Sequence, residues 1–116
     1  MKTNEFELIA RVSFVDIKYT QKGLAYTRLL LSKRKANKED VEYQSFNVTL
    51  FGDVAEKAGN YEKGANVHIT GVLSTSKYEK DGKQVERLEL IGNTIELVDW
   101  NDETKKYEVV DEEIPF

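Results

Sequence analysis

The sequence predicts a mainly β fold, a small barrel of five strands with one short helix between the third and fourth. Apolar and polar residues alternate with period two from Glu5 to Val98, and turn residues break the alternation at intervals. One segment with helical start and stop signals follows the third alternating run. The chain has 116 residues, 40% of them hydrophobic, which supports one core but not two.

The first strand reads Phe6 to Tyr19. It is longer than a typical strand, so a bend or bulge near Ala10 to Val12 is expected, as a strand shared between two halves of a barrel requires. Gln21-Lys22-Gly23 makes the following turn. The second strand runs from Leu24 to about Arg34, with Leu29 and Leu31 on one face and Tyr26, Arg28, Leu30, Ser32 and Arg34 on the other. Lys35 to Asp40 lacks apolar periodicity and reads as a flexible hairpin loop.

The third strand, Glu42 to Phe51, directs Phe46, Val48 and Leu50 inward. Tyr43, Ser45, Asn47, Thr49 and Phe51 form its other face, a polar row with an aromatic at each end. After Gly52, Asp53 to Ala58 has an N-cap residue, Asp53, and good helix formers, and Gly59-Asn60 stops the helix. The fourth strand runs from Ala65 to Glu79, with Val67, Ile69 and Leu73 inward. Asp81-Gly82 turns it into a fifth, Lys83 to Leu97. Gly71 and Gly92, both in mid-strand, mark bends or close backbone approaches. Five strands with this helix placement form the OB arrangement.

The formal charge of −4 is unevenly distributed. Residues 1–98, the OB domain, carry 15 Lys and Arg against 14 Asp and Glu; residues 99–116 carry 2 against 7. This acidic tail holds little apolar cover beyond Trp100, Tyr107 and a Val-Val pair, and is expected to be flexible. There is no cysteine and one histidine, His68, so thiolate chemistry, disulfides and histidine metal clusters are excluded. No phosphate-cradling glycine loop or nucleophile motif is present, so neither an enzyme nor a cofactor is expected. No run reaches the roughly 18 to 20 apolar residues of a membrane span, and no signal-type block follows Met1.

Five segments together resemble the bacterial single-stranded DNA-binding protein family, in particular the short forms carried by bacteriophages. They are Leu8-Ile9-Ala10-Arg11-Val12; Ile17-Lys18-Tyr19 with Gly23; Asn47-Val48-Thr49-Leu50-Phe51-Gly52 followed by Ala55-Glu56; Lys63-Gly64 with Val67, Ile69, Gly71, Leu73 and Tyr78; and the terminal Asp111-Glu112-Glu113-Ile114-Pro115-Phe116. The resemblance implies sequence-tolerant binding of single-stranded DNA in replication, recombination and repair, and a homotetramer, with a dimer as the alternative. It also implies a cytoplasmic or nucleoid setting, or the host cytoplasm if the gene is a phage's. The acidic tip, residues 111–116, would recruit replication or recombination proteins. Ser45 stands where the family has a stacking aromatic, a second such position falls near Asn37, and Ser74 and Ser76 replace residues that are often basic; the long linker before the tip is missing.

Such binding needs cations that track phosphates and flat side chains on which bases stack. Phe51 and Tyr78 keep the family's aromatic positions, and Tyr26 and Tyr43 share their faces by parity. Arg28, Arg34 and Asn47 point the same way, while Lys33, Lys35 and Lys38 crowd the adjoining loop. Tyr19 and Tyr61 read as packing residues near turns, Trp100 as structural and His68 as a surface or interface residue. The serious rival is an OB module that binds protein, because the fold alone does not choose its ligand.

Overall fold

The computed structural model describes residues 3–35 and 42–110. β1 (Phe6–Tyr19) is a single 14-residue strand that serves both halves of the sheet. Its first part, Phe6 to Arg11, pairs antiparallel with β4 (Asn66–Lys80), and its second part, Arg11 to Tyr19, pairs with β2 (Ala25–Arg34). The bend falls at Ser13, where the register shifts between Val12 and Phe14, one residue beyond the expected stretch. The extra residue inverts the inside–outside parity of everything after it. Val12 is buried before the bulge and Val15 is packed on the core after it.

β3 (Tyr43–Phe51) pairs with β2 along its whole length and then makes a short parallel pairing, Val48 to Leu50, with β5 (Lys83–Asn101). β4 and β5 form a long antiparallel hairpin. The order β3-β2-β1-β4-β5, closed by the β3–β5 contact, is a five-stranded OB barrel as the alternation predicts. Val12, Leu29, Leu31, Val48, Leu50, Val67, Ile69 and Ile95 fill it. Gly92 permits the closure, since a Cβ there would meet Leu50 Cδ2 at 2.8 Å and Ile69 Cδ1 at 3.0 Å.

The helix α1 (Gly52–Gly59) plugs one end through Ala55 and Ala58. Thr27, the one buried polar side chain among the described residues, donates from Oγ1 to the Ala55 carbonyl at 2.6 Å and ties helix to barrel. Asp53 is not the N-cap. Gly52 takes a left-handed φ of 68° and starts the helix a residue early, so Phe51 is the N-cap, without a side-chain cap, and Asp53 lies in the first turn. There its carboxylate complements the helix dipole.

Leu73 is not a core residue: it is 43% exposed. The β1–β4 ladder ends at the Phe6–Gly71 pair, although the Asn4 side chain still bonds the Leu73 backbone and β3 still pairs with Leu90 and Ile91. Among the described residues β4 and β5 pair only with each other from Ser74 and Glu89 outward, where they project as an arm. The turn at the arm's tip uses Asp81 and Gly82, both with left-handed φ, as expected for that pair. Tyr19 is likewise exposed at the end of β1, whereas Tyr61 packs against the core.

The expected flexible tail is the largest departure. β5 runs through Val98, which is buried, to Asn101, and residues 106–109 form β6 (Lys106–Val109), paired antiparallel with it. Acidic side chains do not prevent this, because a hairpin ladder is made by backbone groups and the carboxylates remain in water. Trp100 and Tyr107 lie opposite each other, their rings edge to face at 5.1 Å. The tip, residues 111–116, lies outside the described residues, as do Asn37 and Lys38 of the loop.

Candidate nucleic-acid interface

The register of the barrel converts sequence parity into rows of side chains on its outer face. Lys18, Tyr26 and Phe51 lie side by side across β1, β2 and β3. The next row is Asp16, Arg28 and Thr49, and the next Phe14, Leu30 and Asn47. Arg34 lies opposite Tyr43 at the far end of the β2–β3 ribbon. Six of the expected residues, Tyr26, Arg28, Arg34, Tyr43, Asn47 and Phe51, therefore share one continuous face. Phe51 is 48% and Tyr43 69% exposed; Tyr26 is half-buried beside its neighbours. The Asp16 carboxylate, 3.6 Å from Lys18 Nζ, is partly offset by that cation.

Three expected residues sit differently. Lys33 has the opposite parity and reaches back to donate from Nζ to the Ile9 carbonyl at 2.8 Å. Lys35 lies past the end of β2, 3.9 Å from Glu42. Tyr78 is on the arm, 45% exposed and opposite Val85. It still belongs to the same outer surface, because Thr49 pairs with Ile91 and Ile91 with Val72, six residues before it on the same strand face. That spacing sets it about 20 Å along the strand.

An open groove of about 600 Å³ lies between the start of β1, β3 and the arm, with Phe6, Leu8, Phe46 and Leu90 among its lining and two carboxylates, Glu7 and Glu89. Ser45, Asn47 and Thr49 line it from β3, Leu73 from β4, and Arg87 and Leu88 from the arm. Among the described residues no cluster of three or more His, Asp or Glu is placed to hold a metal.

Two contributors escaped the sequence analysis. Phe14 is 57% exposed on the outer face opposite Leu30, because the Ser13 bulge turns it outward. Arg87 lies opposite Ser76, on the face that carries Tyr78, and so supplies a cation across the ladder from the serine that replaces one. The second was accessible from the sequence: a two-residue turn at Asp81-Gly82 fixes the pairing of Ser76 with Arg87.

The chain's residues 3–98 match the model of the single-strand binding protein family. The chain belongs to that family. A single-stranded DNA-binding protein of Xanthomonas campestris pv. campestris is 36% identical over 92 residues, covering 72% of this chain and 52% of that relative. Single-stranded DNA-binding protein B of Bacillus subtilis is 28% identical, covering 83% of this chain and 90% of its own length. Among solved structures, wild-type single-stranded DNA-binding protein from Thermus aquaticus superposes with a TM-score of 0.72 at 27% identity, over 84% of this chain and 50% of that one. A Plasmodium falciparum family member, solved in complex with single-stranded DNA, gives 0.73 at 19% identity, over 85% of this chain and 97% of that one, and shows the common fold. The chain spans about half the length of the Xanthomonas and Thermus relatives. Among the described residues no helix is long and apolar enough to cross a membrane.

Proposed function

We propose that this chain binds single-stranded DNA without sequence preference and protects it during replication, recombination and repair. The observation that carries this is the outer face of β1, β2 and β3. It presents Phe14, Tyr26 and Phe51 as flat surfaces, with Lys18, Arg28 and Arg34 among them. Bases stacked on aromatic rings and phosphates following cations are what sequence-tolerant binding needs, since every base has a flat face and every nucleotide a charge. The relatives' names, the family, and the place of Tyr78 and Arg87 on the same outer surface of the arm support the same function.

Assembly is proposed to be a homotetramer, with a dimer as the alternative. Among the described residues β1 pairs on one side only in each half, so residues 6–10 leave an open edge beside the half-buried Ile9. Open edges of this kind are templates for pairing with another chain. The acidic tip, residues 111–116, is proposed to recruit replication or recombination proteins, on the strength of its sequence: an apolar Ile-Pro-Phe end behind three carboxylates.

Competition between a labelled dT oligonucleotide and unlabelled single-stranded or duplex DNA of equal length tests the binding. Single strands are expected to compete far better. Equal competition by duplex overturns the proposal.

A further inference from the structure

Arg11, Lys33, Arg34, Tyr43 and Asn66 line a pocket of about 330 Å³, and Tyr107 of the β5–β6 hairpin borders it as well. The volume is at the lower end of the range for small-ligand pockets, roughly 300 to 1,000 Å³. We propose that it is a nucleotide subsite, in which Tyr107 stacks a base and Arg11 and Arg34 hold the flanking phosphates. The proposal rests on the single-stranded DNA function given above and extends the DNA surface into a segment that composition alone assigns to an acidic tail.

The pocket lies where β1 passes from one partner to the other. Arg11 pairs with Asn66 of β4 on one side and Ser32 of β2 on the other. The end of the β2–β3 ribbon, with Arg34 opposite Tyr43, forms a second wall. Lys33 is fixed at its base by the bond to Ile9. Among the described residues no carboxylate lines the pocket.

The hairpin's own acids do not spoil it, for a reason in the register. Val98 pairs with Val109 and Trp100 with Tyr107, so those four residues share one face. Asp99 and Glu108 pair between them and therefore point to the other face. The face that carries Tyr107 is thus apolar and aromatic. Trp100, edge-on to Tyr107 at 5.1 Å, braces the ring, and a braced ring loses little freedom when a base stacks on it. Tyr107 remains half exposed and available.

The test uses the full chain and a fluorescent dT oligonucleotide. Tyr107→Ala is expected to weaken binding at least about five-fold, the lower end of what one base stack is worth. Tyr107→Phe, which keeps the flat face, is expected to restore affinity to within about two-fold of the parent. Arg11→Ala is expected to make the slope of log affinity against log salt shallower by about 0.7, one phosphate contact. Because Tyr107→Ala can disturb the hairpin, ultraviolet cross-linking of the unmutated protein to the same oligonucleotide gives an independent reading, with Tyr107 expected among the cross-linked residues. A folded Tyr107→Ala protein with parental affinity, or the absence of Tyr107 from the cross-links, overturns the subsite. So does a change in assembled mass with affinity unchanged, which makes the pocket a contact between copies. If the parent itself fails to prefer dT over duplex, the general DNA function has failed, a result distinct from all of these.

Discussion

Phe51 ends β3 and begins α1, and both facts matter to what its ring can do. Gly52, with its left-handed φ, carries the backbone away from the sheet and leaves the ring on the outer face opposite Tyr26. A half-exposed ring contributes little to the core, so Phe51→Ala is expected to leave the melting temperature nearly unchanged while weakening single-stranded DNA binding by about 1 to 3 kcal/mol. Tyr78→Ala and Phe14→Ala are expected to behave alike in the same titration. Tyr19→Ala is the control: Tyr19 is also exposed but shares the parity of the core-facing Val15 and Ile17, and its loss is expected to leave affinity as it was. Thr27→Val separates stability from binding in the opposite sense. It removes the donor to the Ala55 carbonyl and is expected to cost about 1 kcal/mol in denaturant unfolding without changing affinity. The faces of Tyr26, Arg28, Arg34, Tyr43, Asn47 and Phe51 were legible in the sequence because β2 and β3 are regular, and parity is then enough. Phe14 was not, because a one-residue bulge reverses parity and nothing in Val12-Ser13-Phe14 announces it.

At the scale of elements, the β4–β5 arm and the β5–β6 hairpin show what alternation cannot reveal. The pattern of β4 continues past Gly71, but the barrel does not, so Leu73 keeps an inward parity with no interior to enter. Where a strand stops being flanked depends on the partner strand, here Phe6 at the start of β1. Gly71 marks the place: a Cβ there would stand 1.9 Å from the Ile91 carbonyl oxygen, a contact that only a backbone shift relieves. The arm's geometry depends on its turn. Replacing Asp81-Gly82, both in left-handed conformation, by two alanines is expected to speed amide exchange through residues 73–90 and to leave the slowest-exchanging core amides of β1 and β2 as they were. Residues 99–110 were misjudged for a different reason. A charged composition argues against a buried core, and correctly so, since β6 is exposed throughout; a hairpin fastened to a strand already in place needs only its ladder and one aromatic pair.

For the whole molecule, the distribution of charge governs behaviour in salt. The described barrel lies in a segment with a net charge of +1, and the segment after residue 98 carries −5. The acidic tip, Asp111-Glu112-Glu113, is proposed to compete weakly with phosphate for the cations of the barrel, an effect that salt would screen. Deleting residues 111–116 is expected to leave the melting temperature unchanged, to maintain or slightly tighten DNA binding at low salt, and to abolish capture of replication or recombination proteins in a pull-down. Capture of the same partners by the shortened chain would remove the tip from that role. Light scattering is expected to give a multiple of the 13.3 kDa chain mass, four-fold first and two-fold second.

The central claim is that one outer face, running from Phe14, Tyr26 and Phe51 across to the β4–β5 arm and Tyr78, is where single-stranded DNA lies. Hydroxyl-radical footprinting of the full chain, with and without a saturating dT oligonucleotide, reads this directly, because oxidation reports the exposure of each aromatic side chain. Phe14, Phe51 and Tyr78 are expected to lose most of their reactivity when DNA is bound, while Tyr19 keeps its own. Unchanged oxidation of Phe14, Phe51 and Tyr78 in a complex shown to contain DNA, with protection elsewhere, would contradict the claim.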